Sequence, residues 1–204
     1  DAIDIGANIG FYTILFAKTI ENKRKVLSIE PTRNALRHLY SNIKENCVSE
    51  KVIVYEGAAS DRTGFLEIKT IKDKEEYSTL GLAFHPSVKT TGYEKEVIRT
   101  STIDDLVGNL NIEPGFIKID VEGAEYLVIK GARNVIKEFR PVILSEFSDY
   151  LLKGNRTSAK ELIDLIESLD YQIYDPLTGS KKIVRERFGD IICFPKESKI
   201  RIKS

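Results

Sequence analysis

The apolar residues of this chain form short continuous runs that alternate with segments of helical periodicity. The first run, residues 2–5, is followed by apolar positions at a helical spacing, Phe11, Ile14 and Leu15. This alternation predicts strands joined by helices in a mostly parallel sheet, which is the doubly wound α/β fold class. Further strand-like runs are residues 26–29, 52–55, 116–119, 141–145, 171–174 and 190–194, and further helical patterns are residues 35–43, 127–129 and 159–169.

Residues 65–102 interrupt the alternation. Two strand-like runs, residues 65–68 and 97–100, are separated by a polar stretch that has no helical pattern. We therefore predict a β-hairpin insertion outside the central sheet, which could act as a flap that excludes water from a ligand site. A surface excursion without function is the alternative. His85 lies in the polar stretch and is more simply explained as a surface residue than as a base.

The turn after the first strand carries the strongest chemical signal. Gly6 and Gly10 lack a Cβ, so a ligand can approach the backbone between them. Their spacing is Gly-x-x-x-Gly, which differs from the Gly-x-Gly-x-x-Gly of dinucleotide sites. Asp4 at the strand end would repel a pyrophosphate and attract a cation. S-adenosylmethionine carries an ammonium and a sulfonium and no phosphate. A structural turn that needs small residues is the alternative for the glycines alone.

Two acidic residues later in the chain could hold a nucleoside. Glu30 stands at the end of the second strand, 24 positions after Gly6, close to the offset of an acid that binds ribose hydroxyls. The third strand leads into Ala59-Ser60-Asp61, whose small residues suit packing against adenine, with Asp61 accepting a bond from the adenine amino group. A solvated strand-end glutamate and an Asx-type turn are the alternatives.

A second acidic turn follows the run at residues 116–119. In a doubly wound sheet this fourth strand lies beside the first, so Asp120 and Glu122 would face the same crevice as Asp4. Clustered carboxylates stabilise a sulfonium, raise one another's pKa and accept protons. We expect Asp120 or Glu122 to act as a catalytic base, with Glu146 as the third choice. Capping of the next helix is the alternative role for Asp120.

Composition narrows the classes of function. The 204 residues carry 31 basic and 31 acidic side chains, and a formal net charge of zero disfavours a general nucleic-acid binder. No apolar run approaches the roughly 20 residues that span a bilayer. Cys47 and Cys193 are too few for a cysteine metal site and favour a reducing compartment, so we expect a cytoplasmic protein. We assign no metal ligands, because nothing in the spacing demands a metal, although carboxylates could hold a divalent cation. The chain lacks Met and starts inside a strand-like run, so we expect one domain over residues 1–204, truncated at its N terminus.

The last two strand-like runs would complete a sheet of seven strands with a reversed final strand, which is the arrangement of class I methyltransferases. The motifs that identify a family extend over nearly the whole chain. They are Asp4-Ile-Gly-Ala-Asn-Ile-Gly10, Glu30-Pro31, Asn42 with Asn46, Ala59-Ser60-Asp61, Thr102-Ile-Asp-Asp-Leu106 and Lys118-Ile-Asp-Val-Glu-Gly-Ala-Glu125. Together they resemble the FkbM family of S-adenosylmethionine-dependent methyltransferases.

The resemblance implies O-methylation of a hydroxyl on a sugar, glycolipid or polyketide-like metabolite, with S-adenosyl-L-methionine as the cofactor. It implies a small-molecule or glycan acceptor as the partner, and neither nucleic acid nor a membrane span. A nucleotide-cofactor oxidoreductase and a non-catalytic cofactor-binding module remain alternatives. The residues expected to bind the cofactor are Asp4, Gly6, Ala7, Asn8, Gly10, Glu30, Pro31, Ala59, Ser60, Asp61 and Asp120.

Overall fold

Ten strands and seven α-helices are present in the computed structural model, which describes residues 1–70, 94–181 and 189–199. The strands are β1 Ala2–Ile5, β2 Val26–Glu30, β3 Val52–Glu56, β4 Ala58–Ala59, β5 Gly64–Thr70, β6 Glu94–Ser101, β7 Phe116–Ile119, β8 Val142–Phe147, β9 Tyr171–Tyr174 and β10 Gly189–Pro195. The helices are α1 Phe11–Thr19, α2 Arg33–Glu45, α3 Ile103–Leu110, α4 Glu125–Lys130, α5 Arg133–Phe139, α6 Asp149–Gly154 and α7 Ala159–Ser168.

Seven of these strands form the central sheet in the order β3-β2-β1-β7-β8-β10-β9. Strands β3, β2, β1, β7 and β8 pair in parallel, whereas β10 lies antiparallel between β8 and β9. The chain order reverses between β1 and β7, which makes this pair the switch point of the sheet. The predicted doubly wound sheet with a reversed final strand is therefore confirmed.

A smaller sheet contains the two strands of the predicted insertion. Strands β5 and β6 pair antiparallel from Gly64 opposite Thr100 to Thr70 opposite Glu94, and β4 pairs in parallel with β6. None of these three strands belongs to the central sheet. The polar stretch between them, with His85, lies outside the residues that the structure describes.

Alternation along the central strands divides the apolar core into two parts. Ile3 and Ile5 of β1 belong to the larger part, which contains buried residues of α3, α4, α5 and α7. Val26 of β2 belongs to the smaller part, together with Leu36 and Leu39 of α2. The apolar face that the sequence predicts for α2 is buried. Along β1, Asp4 faces away from the larger core and contacts Thr13 of α1.

The helices are short and several begin at a hydroxyl side chain. Thr102, Ser148 and Ser158 each accept a hydrogen bond from a backbone N–H in the first turn of α3, α6 and α7. Such caps satisfy donors that would otherwise have no partner at a helix start. Across the described parts of the chain, no helix has the length and apolar character needed to cross a bilayer.

We expect the substitution Gly131→Ala to destabilise the fold, because Gly131 follows α4 where Ser60 lies close. A Cβ at position 131 would lie 2.0 Å from the carbonyl oxygen of Ser60, so the backbone would have to move. The expected loss is roughly 1–3 kcal/mol of unfolding free energy in urea denaturation. The control is Gly108→Ala inside α3, where a Cβ meets no atom within 4 Å. This control should gain roughly 0.5–1 kcal/mol of unfolding free energy. Equal effects of the two substitutions would show that the contact with Ser60 does not require glycine at position 131.

Candidate functional site

The segments predicted to bind a ligand meet at the carboxyl edge of the central sheet. The turn after β1 and the loop after β7 adjoin at the switch point, and Glu30 ends β2. Because β10 runs antiparallel, its first residues lie at the same edge, and Asp190 stands directly opposite Glu146 of β8. Three parallel strands, β2, β7 and β8, and the reversed β10 thus bring acidic residues to the edge where the glycine turn after β1 lies.

The glycine turn is fixed by its neighbours on both sides. The backbone N–H groups of Gly6 and Ala7 both donate to the carbonyl of Ile29 at 3.0 Å. Gly6 has a φ of +76°, and a Cβ there would lie 1.8 Å from the carbonyl oxygen of Asp120. The close approach of Asp120 is therefore sufficient to require glycine at position 6, and the approach of a ligand there stays a prediction.

Asp4 lies inside the protein and not at the edge. Its carboxylate is fully buried, and Oδ2 accepts a hydrogen bond of 2.7 Å from the hydroxyl of Thr13 on α1. The hydroxyl of Thr13 also lies 2.7 Å from the hydroxyl of Ser28 on β2. Oδ1 lies 3.4 Å from Nζ of Lys118. Asp4 is thus paired with Lys118 and Thr13 inside the fold, and its attraction of a cationic ligand stays a prediction.

Lys118 of β7 is a residue of this site that the sequence reasoning did not single out. It stands beside Asp4 in the register of β1 and β7 and is only 5% exposed. Its Nζ donates to the carbonyl of Gly6 at 2.9 Å and lies 3.4 Å from Oδ2 of Asp120. The signal that could have revealed it is a charged residue at an inward position of a central strand, which needs a buried partner.

Glu30 is held by the protein through both of its carboxylate oxygens. Oε2 accepts a bond of 2.9 Å from the backbone of Asn8, and Oε1 accepts bonds from the backbone and hydroxyl of Thr32 at 2.9 and 2.6 Å. Burial raises the pKa of Glu30, and these bonds oppose the rise. Three of its roughly four acceptor positions are taken, which leaves about one for a ribose hydroxyl. Pro31, half-buried, follows directly.

The structure places the predicted adenine contacts mostly inside the protein. Ala59 and Ser60 are 2% and 1% exposed, and Ser60 packs against Gly131. Oδ2 of Asp61 accepts a hydrogen bond of 2.8 Å from Nζ of Lys130 on α4. The side chains of Ala59 and Ser60 therefore offer little surface to a ring, and contact of these three residues with adenine stays a prediction.

The loop after β7 is organised by Glu125, a buried carboxylate at the start of α4. Its Oε1 accepts hydrogen bonds from the backbone of Gly123 at 3.0 Å and of Val121 at 3.4 Å. Glu122 has a φ of +51°, a left-handed conformation that costs energy in a residue with a side chain. Burial is the main cause that raises the pKa of Glu125 to about 7. Glu125 thus fixes the loop that carries Asp120 and Glu122.

Glu146 is the most strongly perturbed carboxyl group at this edge. Burial, followed by the nearby Glu125, Glu122, Asp120 and Asp190, raises its pKa to about 10. Its Oε2 is buried and has no hydrogen-bond partner within the described ranges. The raised pKa favours the protonated form, which donates a hydrogen bond, and the role of Glu146 as the third-choice base stays a prediction.

No cluster of three or more His, Cys, Asp or Glu side chains among the described residues is arranged to hold a metal ion. The cysteines are also apart, since Cys193 is buried in β10 and Cys47 is exposed after α2. Carboxyl groups and Lys118 are the charged groups described above at this edge of the sheet. We call Asp120, Glu122, Glu125, Glu146 and Asp190 the carboxyl cluster.

A doubly wound seven-stranded sheet with a reversed strand, with a glycine turn beside an acidic loop at the switch point, defines a class I methyltransferase fold. The sequence profile of the methyltransferase FkbM domain matches residues 4–173. This chain belongs to the FkbM methyltransferase family. No curated protein sequence matches the chain significantly.

Solved structures of methyltransferases share the fold. The methyltransferase FkbM from Methylobacillus flagellatus KT is 25% identical with a TM-score of 0.58, over 95% of this chain and 43% of that protein. This chain thus spans less than half the length of that relative. The O-methyltransferase from Bacillus cereus, solved in complex with SAH, is 16% identical with a TM-score of 0.51, over 96% of this chain and 73% of its own. The precorrin-6y C5,15-methyltransferase from Geobacter metallireducens GS-15 is 15% identical with a TM-score of 0.52. That match covers 96% of this chain and 79% of the Geobacter protein.

The raised pKa of Glu146 predicts a pH-dependent stability that Glu146→Gln should reduce. The folded state holds this proton with a pKa of about 10, against an ordinary value of 4.5. The stabilisation is therefore complete below about pH 4.5 and is lost as the pH rises towards 10, by at most about 1.4 kcal/mol per pH unit. Urea denaturation at about pH 5, 7 and 9 should show the variant gaining stability relative to the wild type as the pH rises.

The matched control for this experiment is Glu138→Gln, the same chemical change at an exposed position of α5. This control reports the effect of the same substitution outside the carboxyl cluster. A difference between Glu146→Gln and the wild type that stays constant from low to high pH would show that Glu146 ionises normally.

Proposed function

We propose that this chain binds S-adenosyl-L-methionine and catalyses O-methylation of a hydroxyl on a sugar, glycolipid or polyketide-like metabolite. The observation that carries the proposal is the carboxyl cluster around the switch point of a class I methyltransferase fold. A crevice lined with carboxyl groups repels phosphates and favours a cationic ligand. The FkbM family membership and the SAH complex of the Bacillus cereus protein support the same cofactor.

The residues at the edge fit the groups of such a cofactor. Glu30 retains about one acceptor position for a ribose hydroxyl, and the side chain of Asp120 is 48% exposed beside the glycine turn. Asp120 would bind the ammonium group, and the backbone near Gly6 would lie against the amino-acid portion. When bound, S-adenosylmethionine supplies a methyl group that its sulfonium has already activated.

In the proposed reaction, the residues of this chain position the acceptor hydroxyl and remove its proton. Asp120 and Glu122 are the proposed bases, because both follow β7 at the switch point. Glu146, protonated at neutral pH, would instead donate a hydrogen bond to an oxygen in the crevice. The free thiols Cys47 and Cys193 support a reducing, cytoplasmic location. Membership of the FkbM family supports the proposed acceptor class. This chain covers 43% of the FkbM relative, so the acceptor of the whole protein is part of the proposal.

Isothermal calorimetry with S-adenosylhomocysteine and NAD, titrated separately into the chain, tests the cofactor. We expect binding of S-adenosylhomocysteine and none of NAD, because the carboxyl cluster would repel the pyrophosphate. Binding of NAD without S-adenosylhomocysteine would establish the oxidoreductase alternative. Turnover with a panel of sugar and glycolipid hydroxyls then distinguishes an enzyme from a binding module.

Asp120→Asn and Glu122→Gln keep the shape of each side chain and remove its charge. At least one should lower the rate constant of methyl transfer in single-turnover assays by about 10²–10⁴-fold, which is the usual contribution of a general base. Glu122→Gln is the cleaner test, because the Asp120 substitution should also weaken cofactor binding. The control is the exposed Glu138→Gln on α5. Wild-type rates in both variants would place the base elsewhere.

A further inference from the structure

Lys118 is a buried cation at the point where the predicted cofactor-binding segments join. Its Nζ donates to the carbonyl of Gly6 at 2.9 Å and lies 3.4 Å from Asp4 Oδ1 and 3.4 Å from Asp120 Oδ2. Its side chain is 6% exposed. A ligand in the crevice therefore meets Lys118 chiefly through the residues that it holds.

The first of these is the glycine turn. The N–H groups of Gly6 and Ala7 are held by Ile29 on the β2 side. The carbonyl of Gly6 is held by Lys118 on the β7 side. The peptide between Gly6 and Ala7 is thus fixed at both its oxygen and its nitrogen, and Lys118 supplies the bond to the oxygen.

The second is the carboxylate of Asp120. Its backbone N–H donates to the carbonyl of Ile5 at 3.0 Å, which fixes the main chain at the end of β7. The side chain, 48% exposed, has one oxygen within ion-pair distance of Lys118. An ion pair at one oxygen limits rotation of the carboxylate and leaves the other oxygen for the crevice.

Charged groups from several elements face Lys118. Its positive charge opposes the rise in pKa that burial causes in Glu30 of β2 and in Asp190 of β10. Tyr12 of α1 presents its ring at 5.2 Å from Nζ. Lys118 is therefore a shared counter-ion for Asp4, Asp120, Glu30 and Asp190, which belong to β1, β2 and β10 or directly follow β7.

We propose that Lys118 is a positioning residue for the amino-acid end of the cofactor. By holding the carbonyl of Gly6 and the carboxylate of Asp120 at one point, it presets the oxygen of Asp120 that binds the ammonium group. The proposal rests on the proposed function. It implies that Lys118 matters for ligands that carry the amino-acid group and matters little for ligands that carry only the adenosine and sulfur.

The test is Lys118→Met, with S-adenosylhomocysteine and 5′-methylthioadenosine as probes in calorimetry. The second probe contains the adenosine and the sulfur but lacks the ammonium and carboxylate groups. We expect the affinity for S-adenosylhomocysteine to fall by about tenfold or more, and that for methylthioadenosine by less than about threefold. The control is Lys51→Met, which also removes a lysine bond to a carbonyl, that of Ile20 at 2.9 Å, but before β3 at the opposite edge. This control should leave both affinities unchanged.

A double-mutant cycle with Asp120→Asn tests whether Lys118 acts through Asp120. The loss caused by Lys118→Met should largely vanish when Asp120 is already replaced, because the two residues would act as a unit. Additive losses, equal losses for both probes, or an unchanged affinity for S-adenosylhomocysteine would each overturn the proposal. A wild-type chain that binds neither probe would overturn the proposed function itself.

Removal of Lys118 alone leaves Asp4 buried without its counter-ion, which could prevent folding. Circular dichroism shows whether Lys118→Met is folded. If it is not, the double variant Asp4→Asn/Lys118→Met, which removes both charges of the pair, takes its place with the same two probes. We expect the same result for the double variant, namely a loss of affinity for S-adenosylhomocysteine that is larger than the loss for methylthioadenosine. Equal losses for the two probes would again overturn the proposal.

Discussion

The ion pair between Asp4 and Lys118 is the constraint on which the rest of the site depends. Both side chains are nearly inaccessible to solvent, and they are neighbours in the register of β1 and β7. A buried charge without a partner is strongly destabilising, so each residue makes the other obligatory. Thr13 adds a hydrogen bond from α1. The pair therefore fixes the register of the two strands that flank the switch point, together with the helix that begins after the glycine turn.

Lys118 also sets the electrostatic balance of the edge. The carboxyl cluster concentrates negative charge there, and the protein responds in two ways. Lys118 keeps the charges nearest to β1 matched, whereas Glu146, farther along the sheet, holds a proton under a pKa of about 10. The positive charge of Lys118 and the protonation of Glu146 both reduce repulsion between the carboxyl groups. Several carboxyl groups can therefore lie at one edge of the sheet in a folded protein.

The order of strands and helices could be predicted because apolar periodicity is a local property of the sequence. The glycine turn and the acidic loop could be located for the same reason. The partners of individual charges could not. Asp4 meets a lysine from the far half of the chain, and Asp61 meets Lys130 of α4. Burial is the main cause of the raised pKa of Glu146, and nearby carboxyl groups add to it. One of these is Asp190, whose position follows from the insertion of β10 between β8 and β9. Such pairings arise from tertiary packing, which leaves no mark in local spacing.

The position of β10 also has a consequence for the order in which the chain can fold during synthesis. Among the strands that the structure describes, β9 pairs with β10 alone, so residues 171–174 gain this strand partner once Gly189–Pro195 has been made. Strands β1, β2, β3, β7 and β8 can assemble earlier, because the parallel pairs that they form with one another use no residue beyond Phe147. Closure of the sheet and delivery of Asp190 to the carboxyl cluster are therefore the same late event. A ribosome that stops before residue 189 would release a chain with an open sheet edge at β8 and an incomplete crevice.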